Sequence, residues 1–151
     1  MGYYMRFFTT STEETTLSTI ETALKRTDAA YSITNRISAR HEAGTLAYED
    51  GLYGQIEVNR TGDGLFGAEV EEFREEAEEA PGKGKETVLE ALDATRAIVS
   101  IELLFQNRET EETLRRIDPI WHWLFENRSG LLQVDGEGWY DRSGRVLRVR
   151  V

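Results

Sequence analysis

The sequence predicts an α+β fold, an antiparallel sheet with helices on one face, and three observations carry that prediction. Runs with the two-residue alternation of strands are interleaved with stretches whose apolar residues recur at helical spacing. The order strand, helix, strand, strand occurs at 3–60 and again at 97–151, and an acidic helical insert at 65–95 separates the two blocks. Two such units commonly pair their strands about a pseudo-twofold axis, with both helices on one face and the other face open to a ligand or partner. A further hint of duplication is "TEETTL" at 12–17 echoed by "TEETL" at 110–114, each after a short apolar run ending in Phe8 or Phe105. Glu and Thr are common in the chain, so this match by itself arises readily by chance.

Block one begins with "YYMRFFTT", whose aromatic and β-branched residues make a strand at 3–9. In 16–26, Leu17, Ile20 and Leu24 fall on one helical face, with Thr15 or Thr16 as N-cap. "AYSIT" reads as a short strand and "NRISARHEAG" as a polar loop. "TLAYED", Gly51 and "LYGQIEVNR" form a hairpin in which Gln55, Glu57 and Asn59 alternate with Ile56 and Val58, and "TGDG" stops it.

The insert is amphipathic. Phe66, Val70, Phe73 and Ala77 form a stripe, while Glu69, Glu71, Glu72, Glu75, Glu76, Glu78 and Glu79 fill the rest of the wheel. "PGKGK" reads as a flexible linker, and a second helix at 86–94 turns Val88, Leu89 and Leu92 inward.

Block two opens with "AIVSIELLF", either a strand with Val99, Ile101, Leu103 and Phe105 on one side or a continuation of the preceding helix. The repeat stands only if it is a strand. In 110–127, Leu114, Ile117, Trp121, Leu124 and Phe125 share a helical stripe, interrupted by Asp118-Pro119, which either kinks the helix or restarts it with Asp118 as cap. "RSG" closes the helix, and glycine turns separate strands in "LLQVD" and "WYDRSGRVLRVRV".

Composition narrows the function classes. A chain of 151 residues is a usual size for one domain, 1–151, that folds without a staple. It has no cysteine, which excludes thiol catalysis, disulfides and thiolate metal sites. The first ten residues lack a signal-peptide pattern, and no run approaches the roughly 18 apolar residues of a membrane span, so a cytoplasmic protein is expected. The net charge is −10, and 61–94 holds 11 acids against 3 bases. Such a field repels phosphates, which argues against nucleic acid and anionic membranes, and steers a basic partner inward.

Catalytic and metal patterns are sparse. His41 and His122 are the two histidines, and no "GxSxG" is present. "TGDGLFG" and "GKGKET" lack the strand-to-helix context of a phosphate loop. His41 with Glu42 has no paired metal-ligand spacing. No catalytic residue, metal or cofactor is expected.

Aromatic residues carry the ligand hypothesis. Tyr53 follows "DGL", and Trp139-Tyr140 follows "DGEG", at analogous places in the blocks. Brought together at a twofold axis, Tyr53, Trp139 and Tyr140 would wall a cleft between the blocks, with Glu57 or Glu102 as its acid. Such a cleft suits a small aromatic or cationic ligand. The alternative is an acidic inhibitor or immunity-type module that binds a basic protein through Glu71, Glu72 and Glu75 together with Trp123 and the flanking His122. Trp123 lies opposite Leu114 on its helix and faces solvent unless the acidic helix covers it. The doubled strand-helix-strand-strand plan resembles the GyrI-like ligand-binding domains, a likeness of topology that implies small-molecule binding and identifies no site.

Overall fold

The computed structural model describes residues 2–38 and 41–149. Its elements are β1 (Tyr4–Thr9), α1 (Leu17–Thr27), β2 (Tyr31–Ile37), β3 (Glu42–Tyr48), β4 (Gly51–Arg60), α2 (Phe66–Glu79), α3 (Lys85–Asp93), β5 (Ala97–Leu103), α4 (Thr110–Asn127), β6 (Gly130–Val134), β7 (Gly138–Asp141) and β8 (Gly144–Arg148). The eight strands form one antiparallel sheet in the order β2-β3-β4-β5-β1-β6-β7-β8. The protein is therefore α+β. No helix among the described residues is long and apolar enough to cross a membrane.

Each open alternative in the sequence resolves physically. The segment after Ala97 is a strand, buried on both faces at the centre of the sheet, which is why it reads as a continuous apolar run. Helix α4 passes through Pro119 without ending. The polar loop is shorter than expected, because β2 runs to Ile37 and β3 starts at Glu42; residues 39 and 40 of it lie outside the described residues. "PGKGK" is not a free linker: Gly84 caps α3 at φ +96°, where a side chain would collide with the Val146 carbonyl, and Lys85 Nζ donates to the Glu78 carbonyl at 2.8 Å.

Both blocks share the order strand, helix, three strands, but the sheet does not mate them about a twofold. With an axis between β1 and β5, β4 of block one faces β6 of block two, its second strand rather than its last. The "TEET" segments are also inequivalent. The first precedes α1, where Thr16 Oγ1 accepts from the Thr19 N–H at 3.0 Å as N-cap, whereas the second is the first turn of α4, whose N-cap Glu109 makes no side-chain bond.

The helices divide between the faces. α1 and α4 lie on the first face, over Phe7, Ile56, Val99 and Ile101, as expected for the two blocks. The second face is not left open. Phe8, Ile98, Leu131, Trp139 and Leu147 alternate onto it as an apolar strip, and the acidic pair α2–α3 covers that strip with Phe66, Phe73, Ala77, Val88 and Leu92. The stripe of the insert and the unpaired half of the strand alternation are complementary surfaces, and each explains the other. Arg128, 8% exposed, fastens the end of α4 to the β1–α1 loop through Thr15 Oγ1 (2.9 Å), Glu13 Oε2 (3.1 Å) and the Glu14 carbonyl (2.9 Å).

Candidate functional site

Helix α4 packs against α1 and β4. Its flank towards β6 and β7 is consequently less tightly covered, and a cavity of about 620 Å³ opens there, within the range of small-molecule sites. One wall is the α4 face carrying Leu114, Asp118, Trp121, His122 and Phe125, which share one side of the helix. The floor is Met5 of β1 with Leu132 and Val134 of β6, and Tyr3, Glu137, Tyr140 and the turn at 141–144 close the far side.

The polar groups are arranged around aromatic walls. Glu137 accepts from Tyr3 Oη at 3.2 Å and from Tyr140 Oη at 2.5 Å. Burial, reinforced by Glu137, pushes the Tyr3 phenol up to about 12. Tyr140 is raised chiefly by its bond to Glu137. Both phenols thus remain protonated donors at neutral pH. Asp118 is half-buried, and desolvation lifts its pKa while His122, one helical turn on, draws it back. No lysine or arginine pairs with Asp118 among the described residues. Trp121, 2% exposed, has its indole N–H buried without a partner. Arg142 lies on the rim beside Asp141. Chemically, the cavity offers flat apolar surface and acceptors for a positively charged or N–H-bearing group.

Among the residues picked from the sequence, Tyr140 and His122 line this cavity. The expected cleft between Tyr53 and Trp139 does not form, because the two rings belong to opposite faces of the sheet. Trp139 is wholly buried against Phe8 and Phe73, with ring centroids at 4.9 and 6.0 Å. Tyr53 packs at the rim of the first core, and the Arg108 guanidinium sits 3.8 Å from its ring centre. Its π-face is therefore already occupied by a cation of the protein itself. Glu57 and Glu102 stand diagonal to one another on adjacent strands, two residues apart in register, but on the second face.

Trp123 is half-buried beside α1, with the Arg128 guanidinium 5.0 Å from its ring, and the acidic helix does not cover it. Glu71, Glu72 and Glu75 are exposed on α2, on the far side of the sheet from Trp123, so these residues do not share a surface. His41 Nε2 stands 3.6 Å from Glu57 Oε1, and Glu42 is committed to Arg60 and the Leu17 N–H. No group of three or more His, Cys, Asp or Glu suited to a metal ion occurs among the described residues.

Sequence reasoning missed Asp118, Trp121 and Tyr3 as site residues. Trp121 and Tyr3 read as core and strand, and Asp118 read as a helix break. The available signal was the i, i+4 pairing of Asp118 with His122 inside an otherwise apolar stripe.

Fold and site together define an α+β protein whose antiparallel sheet carries an acid-lined aromatic cavity on one face. Compared with known proteins, the chain matches no family model, no curated protein and no solved structure.

Proposed function

We propose that the protein is a non-catalytic binding domain for a small aromatic or cationic ligand, held in the cavity between α4 and the β6–β7 side of the sheet. The observation that carries this reading is Asp118, a half-buried carboxylate with no lysine or arginine partner among the described residues, set between the rings that line the cavity. An aromatic ammonium would stack on Trp121, Phe125 and Tyr140 and place its charge against Asp118, with Glu126 and Glu137 adding to the field. The ligand would be enclosed mainly by block two, with Tyr3 and Met5 as the contribution of block one.

A thermal-shift titration with phenyltrimethylammonium, an aromatic cation without N–H donors, tests the reading. Ligand at 100 times its Kd should stabilise the native state by about 2.7 kcal/mol. Asp118→Asn should abolish the shift, while Glu57→Gln on the second face should leave it intact. A shift insensitive to Asp118→Asn, or no shift with this or any other quaternary aromatic cation, would overturn the proposal.

A further inference from the structure

A second group of carboxylates, without a lysine or arginine partner among the described residues, lies on the opposite face, beside the helix that covers the apolar strip. Strand register aligns Gln133, Arg6, Ser100 and Glu57 in one row across β6, β1, β5 and β4. The adjoining row on the same face is Tyr4, Glu102, Gln55 and Thr45. Helix α2 overhangs this polar surface: the Phe73 ring lies 4.9 Å from the Arg6 guanidinium, and the charge of Glu69 is felt together with those of Arg6, Glu57 and Glu72.

The single cation in the row is already engaged. Arg6 donates to Gln133 Oε1 at 2.8 Å and to Asp135 Oδ1 at 3.0 Å. Among the described residues, His41 Nε2 lies 3.6 Å from Glu57 Oε1, and no lysine or arginine pairs with Glu57, Glu69 or Glu102. Two polar atoms at this surface are buried without partners. One is Ser100 Oγ, on a residue only 7% exposed whose strand register points it between Arg6 and Glu57, and the other is Glu69 Oε1. A buried hydroxyl or carboxylate oxygen left unpaired is costly unless something fills its place. The acceptors come from three separate elements, β4, β5 and α2: Ser100 lies beside Glu57 in strand register, and Glu69 of α2 stands within the field of Glu57 and Arg6.

We propose that the polar surface where α2 overhangs strands β4–β5 binds a primary alkylammonium group, whose three N–H donors are taken by Ser100 Oγ and the carboxylates of Glu57 and Glu69. Glu102, diagonal to Glu57, adds negative charge. The acceptor set suits an ammonium, which has three donors and no acceptor. A free polyamine and the lysine side chain of a peptide present the same group, and the experiment separates them. This site is independent of the cavity that contains Asp118.

The test is calorimetric titration of the full chain, at low ionic strength, with spermidine in one arm and with Nα-acetyl-lysine amide in the other. Saturable binding in either arm is expected, and the tighter arm identifies the source. Glu57→Gln with Glu69→Gln should weaken binding by about tenfold or more, as expected for lost charge-assisted hydrogen bonds. Ser100→Ala, which removes an unpartnered hydroxyl and should preserve the fold, should weaken it by a few-fold. Glu71→Gln with Glu75→Gln makes the same charge change on the exposed face of α2 and should leave the affinity within about twofold, allowing for long-range charge alone. Asp118→Asn should have no effect. Absence of saturable binding in both arms would overturn the proposal. So would an equal loss in the Glu71/Glu75 pair, which would mark a diffuse field instead of a site.

Discussion

Trp121 and Trp139 are both almost completely buried, and both leave the indole N–H without a partner, yet they belong to opposite faces of the sheet and to different kinds of interior. Trp139 is closed in by Phe8, Phe73 and the α2–α3 pair, so its ring is packing material. Trp121 stands where α4 leans towards β4 and away from β6, so one edge of its surroundings is a cavity with Asp118 and Tyr140 around it. Burial alone therefore does not separate filler from wall. What separates them is whether the next element over is present, and that depends on how a helix is tilted by its other neighbours.

The largest expected effect attacks the filler. Trp139→Ala should cost about 3–5 kcal/mol, because the site is enclosed on all sides and collapses poorly, with the loss read by urea denaturation. If the cost were near zero, the second core would be looser than its enclosed geometry implies, and the contrast would fail. Next is Arg128→Ala, which strips the Thr15 hydroxyl and the Glu14 carbonyl of their donors; a loss of about 2 kcal/mol is expected, without change in ligand affinity.

Titration sharpens the comparison further. Burial raises the folded-state pKa of Asp118 above the ordinary carboxylate value of 3.8. The folded state then holds its proton more tightly than the unfolded state, so ionisation of Asp118 is destabilising. The cost is absent below the unfolded pKa, grows as pH rises towards the folded pKa, and is fully present above it. Asp118→Asn should accordingly be more stable than wild type at pH 7, with the gain vanishing near pH 3 in thermal melts, even as ligand binding is lost. Glu69→Gln should behave in the same direction on the other face, since its pKa is also raised first by burial. A neutral-pH loss of stability in both variants would show that these carboxylates are structural. The smallest effect is reserved for Glu71→Gln with Glu75→Gln: exposed positions of this kind should move stability by no more than about 0.5 kcal/mol.

Much of the architecture was legible in the chain. The hairpin β3–β4 and the stripes of α2 and α4 follow directly from side-chain period, whereas Ala97–Leu103, a continuous apolar run, read as either strand or helix until the sheet placed it. The destination of the α2 stripe did not, because alternation states that a strand has two faces without stating which helix covers each. The pairing of Tyr53 with Trp139 failed for the same reason. Trp139 pairs with Gln133 and Leu147 and shares their face, while Tyr140, one residue on, turns to the cavity. A one-residue difference in register moves a ring across the sheet. Glu57 and Glu102 sit at diagonal register positions of strands that proved to be neighbours, away from the cleft they were expected to serve. Asp118 was hidden by its proline neighbour, which drew attention to the backbone and away from the carboxylate.

The most direct test of the ligand cavity is a proton–nitrogen correlation spectrum of the labelled protein, in which the three tryptophan indole N–H groups give separate signals. Titration with phenyltrimethylammonium, which has no N–H donor to offer the carboxylates beside α2, should shift the Trp121 indole signal saturably, along with backbone amides near Asp118 and Tyr140, and leave Trp139 unmoved. A shift of Trp139 with Trp121 unchanged, or shifts confined to α2 and β4, would place the ligand on the other face and contradict the account.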